Sequence, residues 1–266
     1  MTTLTAETLS ARDTSADGPD IKTLSFADLK DAVNRGIADF GDRPTHLVVL
    51  APLYPLLTLC AFLFTFNRQL LPLAFPVAAG LVLIGPFAAI GLYEFSRRRE
   101  KGLDISWTHA FDFWHSPALP NVLFLGVVLV GLFFGWLVTA YVIYLATIGA
   151  MEPQGVAEFL RLVFTTGAGW IMIVVGNLVG LVFAVAAMAI SVVSFPMLLD
   201  RNVSLARAVQ TSVRVVAKNP VTMAGWGVMV AVGLFVGALP LLVGLAVVIP
   251  VLAHATWHIY RKAVGA

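Results

Sequence analysis

The chain has 266 residues, 59% hydrophobic and 12% charged, with a mean hydropathy of +0.90 and a formal net charge of +2. Soluble domains carry about 25% charged residues, so this composition excludes a water-soluble globule and places the chain in a bilayer. The small, dispersed charge leaves no footprint for nucleic acid, and the lone Cys60 excludes an intramolecular disulfide or a cysteine-based metal site.

Residues 1–20 are polar and have no apolar core behind a basic start, which argues against a secretory signal and predicts a disordered tail. Residues 21–266 are expected to form a single integral membrane domain. The stretch LSFADLKDAVNRGIADF comes first. Ser25 can cap a helix with Asp28 in a capping-box relation, and Phe26, Leu29, Val33, Ile37 and Phe40 make an apolar stripe.

Apolar runs of spanning length follow at about 47–66, 70–93, 121–149 and 167–197, and a last run covers about 221–260. The last run is too long for one crossing at ordinary tilt. Gly237-Ala238-Leu239-Pro240 offers a turn that divides it into spans at 221–237 and 239–260. The fold predicted is all-α, with six transmembrane helices. With the N-terminus inside, 15 of the 17 Lys and Arg residues fall inside and only Arg68 and Arg161 outside, which puts both termini in the cytoplasm.

ISWTHAFDFWHS lies between the second and third spans. As a helix capped by Ser106 it aligns Trp107, Ala110, Phe111 and Trp114 on one stripe, and His109 and His115 do not share a face. VSLARAVQTSVRVVAKNP repeats the scheme behind Ser204, with Leu205, Ala208, Val209, Ser212, Val213 and Val216 on one face and Arg207, Arg214 and Lys218 on the other. Each such segment precedes a pair of spans whose second member holds a proline: Pro86, Pro196 or Pro250. The basic clusters at Arg97 and Arg261 open eleven residues after their prolines, and Arg201 only five after its own. Three units of cytoplasmic amphipathic helix plus helical hairpin are the expected organisation. Aromatic residues beside the Arg97–Lys101 run suit the surface of an anionic inner leaflet.

Candidate chemistry is sparse. No Asp, Glu, Lys or Arg lies deep in a predicted span, and Glu94 sits at an inner end beside Arg97 to Arg99. Asn177 is the one strongly polar side chain in mid-span, a candidate for substrate contact or for interhelical hydrogen bonding. Gly131-x-x-x-Gly135, Gly176-x-x-x-Gly180 and Gly233-x-x-x-Gly237 are small-residue ridges for packing within the chain or between copies. His254 and His258, four apart, share a helix face near the inner surface. They are the candidate metal or haem ligands, although one helix turn half-fills a coordination shell and packing is the expected role. No resident cofactor is expected, and no metalloprotease, phosphate-loop, nucleophile-elbow or dinucleotide motif is present.

IGPFAAIGLYEFSRRREKGLDIS, with FGDRPTHLVVLAPLYPLL before it, resembles a bacterial family of predicted integral membrane proteins, domain of unknown function 2189. The likeness is densest at Gly85-Pro86, Tyr93-Glu94 and Ser96 to Gly102. It implies a bacterial inner membrane and supplies no functional residues. Members are sometimes labelled cytochrome c oxidase subunit I-like, which implies respiratory context. The catalytic subunit needs more histidine ligands than the five here and about twice the spans. The expectation is a non-enzymatic accessory or assembly protein of a larger membrane complex, with a membrane-protein partner or a second copy at its apolar faces. A transporter or channel for a small neutral solute, and a haem- or metal-binding redox protein using His254 and His258, are the alternatives.

Overall fold

The computed structural model describes residues 19–42, 56, 63, 68–240 and 242–265. Among them the secondary structure is helical, with no strand: an all-α membrane protein. The predicted span at 47–66, with His46 and Cys60, lies outside the described residues except at two positions.

Helix α1 runs Phe26–Asp42. The run predicted as a span at 70–93 is not one helix. A 3-10 turn Arg68–Leu73 leads into α2 (Ala74–Gly80), a 3-10 turn Leu81–Ile84, α3 (Gly85–Ala88) and α4 (Ile90–Glu100). Pro72, Pro76 and Pro86 each lack the N–H that a continuous helix would use. A 3-10 helix, Trp107–His115, precedes α5 (Leu119–Thr147). Then come α6 (Val156–Thr165), α7 (Gly167–Ser191), α8 (Ser194–Asp200), α9 (Leu205–Lys218), α10 (Pro220–Ala238) and α11 (Leu245–Val264).

Among the described residues, three stretches are long and apolar enough to cross a membrane: Leu119–Thr147, Gly167–Asp200 and Pro220–Ala238. The last apolar run is two helices, α10 ending at Ala238, within the expected Gly237–Pro240 turn, and α11 opening at Leu245. There Gly244 approaches Gly237 so closely that an added Cβ would lie 2.7 Å from the Gly237 carbonyl oxygen.

All three predicted caps form. Ser25 accepts from the Asp28 amide at 3.2 Å, and Asp28 returns the contact to the Ser25 amide at 2.9 Å. Ser106 and His109 make the same reciprocal pair, with Ser106 N–H donating to His109 Nδ1 at 2.9 Å. Ser204 accepts from the Arg207 amide at 3.3 Å. These bonds satisfy amides that the first turn leaves without carbonyl partners.

The capped segments pack in a cyclic order. The 107–115 helix lies against α4, α9 lies against α7 and α8, and α1 closes the ring against α11. Each segment therefore rests on the second helix of the preceding pair. The polar pairs follow the same register. Arg98, twelve residues after Pro86, pairs with Asp112, six after Ser106, at 2.7 Å. Lys262, twelve after Pro250, pairs with Asp31, six after Ser25, at 3.0 Å.

Two expected faces are corrected. On α1 the buried residues are Leu29, Ala32, Gly36 and Asp39, while Phe26 and Ile37 are each 53% exposed. A methyl on Gly36 would sit 2.6 Å from the Val251 carbonyl and 2.8 Å from the Ala255 amide, so the small residues form the seam and the large ones flank it. In the 107–115 segment the tighter 3-10 winding turns Phe113 toward the core and leaves Trp114 exposed.

Candidate functional site

The C-terminal half of α11 is buried along most of its length. Trp257 and Tyr260 are fully buried, and α1, α4 and α8 pack around them. At this end polar side chains from elements far apart in sequence are gathered and paired.

The first cluster joins α1, α4 and α11. Ser96 donates to Asp39 Oδ2 at 2.6 Å and lies 2.8 Å from His254 Nδ1, and His258 Nε2 lies 3.0 Å from the same carboxylate oxygen. Arg99 donates to the other oxygen of Asp39 and also pairs with Asp42. Burial would raise the Asp39 carboxyl, but the hydrogen bonds from His258 and Ser96 outweigh it and hold the group below the ordinary carboxylate range. Serine, histidine and aspartate within bonding distance suggest a nucleophile and its base. Here, however, the serine hydroxyl is spent on the aspartate, and Ser96 and His254 are each only 1% exposed. As it stands, the cluster is a fastening between three helices.

The second cluster joins α4, α8 and α11. Asp200 accepts from Tyr260 at 2.8 Å and from Arg261 at 2.9 Å, with Lys101 at 3.4 Å. Glu100 accepts from Trp257 Nε1 at 3.1 Å and from Arg261 Nε at 3.0 Å. Glu94 is buried and accepts from Arg97 and Arg98, a pairing that its place in the sequence anticipates. Among the described residues no buried side-chain nitrogen or oxygen lacks a partner.

The predicted site residues are distributed as follows. His254 and His258 come together through Ser96 and Asp39, and no group of three or more metal-binding side chains occurs among the described residues. His109 is the return half of the Ser106 cap, and His115 is exposed. Asn177 is exposed on α7 and donates to the Ile173 carbonyl of its own helix at 2.7 Å, rather than to a neighbouring helix. Gly135 and Gly180 receive Phe183 and Trp136, and Gly233 and Gly237 receive residues of α11. Gly131 and Gly176 face open space.

Asp39, Ser96, Glu100 and Asp200 were not legible as site residues. The one signal for Asp39 is its register, which continues the seam Leu29, Ala32, Gly36.

The comparisons with known proteins bear on the first half of this arrangement. Residues 74–200 match the family of predicted integral membrane proteins DUF2189. The match spans just under half of the chain and contains Gly85-Pro86 and Ser96 to Gly102, the residues on which the resemblance rested. Ser96, Glu100 and Asp200 fall inside the DUF2189 segment, and Asp39, His254 and His258 fall outside it. Comparison with curated proteins and with solved structures gives no match.

Proposed function

We propose that the protein is a non-enzymatic accessory or assembly subunit of a larger complex in a bacterial inner membrane, with both termini cytoplasmic. The carrying observation is how its polar groups are used. Asp39, Glu94, Glu100 and Asp200 are each taken up by partners within the chain, so little chemistry is left over at the charged end. Meanwhile α5, α7 and α10 turn Phe134, Val182 and Phe235 outward, a surface for lipid or for another membrane protein. On this reading His254 and His258 are packing residues.

The test is purification from native membrane after mild crosslinking. A constant set of co-purifying subunits is expected; a chain recovered only alone overturns the reading. Reporter fusions after Arg99, after Asn219 and at the C-terminus should report cytoplasm, and those after Arg68 and Glu158 the outside. The His254→Gln/His258→Gln double variant should leave metal content and absorption spectrum unchanged. A haem band or stoichiometric metal lost in that variant would instead establish a redox site.

One observation favours a second reading. The broken stretch 68–90, alternating short 3-10 and α turns, is the kind of backbone that membrane proteins tolerate where it lines a cavity. A small-solute channel would use it. Proteoliposomes that swell no faster in glycerol than protein-free vesicles would remove this alternative.

A further inference from the structure

Between the end of α8 and the turn that opens α5 lies a cleft of about 360 Å³ that neither polar cluster fills. Arg97 from α4 and Arg201 from the end of α8 both line it, with side chains 25% and 31% exposed. Both guanidinium groups are held by one edge. Arg97 gives Nε and Nη2 to Glu94; Arg201 gives Nε to Tyr260 and Nη2 to the Gly265 carbonyl. Among the described residues, the Nη1 of each is left uncommitted. This orients a guanidinium in advance of a ligand and lowers the entropy cost of binding.

The carboxylates in the wall are shared with other cations. Asp112 is engaged by Arg98, and Asp200, 4.0 Å from Arg201 Nε, is also held by Tyr260, Arg261 and Lys101. The ion pairs fall into two sets: Arg97 and Arg98 balance Glu94 and Asp112, whereas Lys101, Arg201 and Arg261 face only Glu100 and Asp200, so the Arg201 side of the cleft keeps one positive charge in surplus. Asn121 and Asn202 add neutral donors to the lining. Asn121 also fixes the depth of the site. It is the third residue of α5, one of the stretches long and apolar enough to cross a bilayer, so the cleft opens where headgroup phosphates lie.

We infer that this cleft binds a phosphate ester, with Arg97 and Arg201 forking onto its oxygens and Asn121 and Asn202 completing the shell. The same chemistry is offered by an anionic phospholipid headgroup and by a small soluble phosphate ester. The test uses the full chain in detergent, with native mass spectrometry and three probes: phosphatidylglycerol, diacylglycerol as its phosphate-free counterpart, and glycerol 3-phosphate.

Selective retention of phosphatidylglycerol over diacylglycerol is expected if the source is lipid, and retention of glycerol 3-phosphate if the source is soluble. In either case Asn121→Asp/Asn202→Asp should weaken binding by about tenfold, through a like charge placed in the wall without removing a guanidinium contact. If the double variant melts below the parent, Asn202→Asp alone, at an exposed position, serves the same purpose. Equal retention of phosphatidylglycerol and diacylglycerol with no retention of glycerol 3-phosphate overturns the inference. So does phosphate-dependent binding that neither aspartate variant weakens.

Discussion

Val182 in α7 is 68% exposed, whereas Trp257 in α11 is fully buried, although both sit in long apolar helices of one small protein. Around Val182 the large side chains point outward, and helices meet through small residues and single aromatics such as Trp136 against Gly180. Around Trp257 the large side chains point inward, and the helix ends are cross-linked by carboxylates, guanidinium groups and indole N–H. The two regions follow the demands of different solvents. Lipid is as apolar as leucine and rewards close backbone approach, whereas the wet end rewards apolar burial and requires every polar group taken inside to be paired.

The sharpest way to break this contrast is to remove Asp39. Its carboxylate is 7% exposed and receives Ser96, His258 and Arg99, so Asp39→Ala takes a partner from three polar groups at once, of which Ser96 keeps His254 and Arg99 keeps Asp42. Breaking a buried pair costs about 3–5 kcal/mol, and Arg99, 35% exposed, can regain water, so about 3 kcal/mol is expected. Val182→Ala on the outward face of α7 should cost less than about 0.5 kcal/mol. Denaturation in mild detergent measures both. Equal losses would mean that the charged end is no more tightly specified than the apolar helices.

The next prediction separates packing from charge within the same region. Gly36→Ala pushes a methyl into the backbone of α11, where no side chain can swing aside, and should cost about 1–3 kcal/mol. Gly41→Ala, on the same helix with open space around it, should be neutral or stabilise by up to about 1 kcal/mol. If both alanines behave alike in thermal melts, α1 is not seated at Gly36.

These comparisons mark what could be read in the sequence. The all-α membrane class follows from composition, and the starts of three segments follow from Ser25, Ser106 and Ser204, because a cap is a contact within four residues. The division of the last apolar run was legible because its length exceeds one crossing. The faces were not. Counting apolar residues put Phe26 and Ile37 inward, but a tight helix crossing selects Gly36 and Ala32 instead, and that choice depends on the partner helix. The break-up of 70–93 was signalled by Pro72, Pro76 and Pro86, yet hydropathy alone joins them into one span. The pairing of Asp200 with Tyr260 and Arg261 joins residues about sixty positions apart and has no local signature. Only the matched spacing of Pro86 to Arg97 and Pro250 to Arg261 hinted that these helix ends are equivalent.

The smallest effect concerns the rim of the charged end, where Lys262 ties the last turn of α11 to the first turns of α1. Asp28 accepts from the Ser25 hydroxyl at 2.7 Å, the Ser25 amide at 2.9 Å and Lys262 at 3.1 Å. These bonds, the Ser25 hydroxyl foremost, outweigh the opposing effect of burial and lower its pKa from 3.8 to about 2. Asp31 and Arg35 are the other charges facing this corner. The folded-state pKa lies below the unfolded one, so the contribution is present above pH 3.8 and fades as pH falls toward 2. Melting temperatures measured between pH 5 and 2 should therefore fall more steeply for the parent than for Asp28→Asn, and the gap between them should narrow as the carboxyl protonates. Asp31 keeps its own hold on Lys262 in the variant, so the gap should stay small throughout. Parallel curves would show that α1 is held at its far end by Gly36 and Asp39 alone, with the Asp28 corner adding nothing.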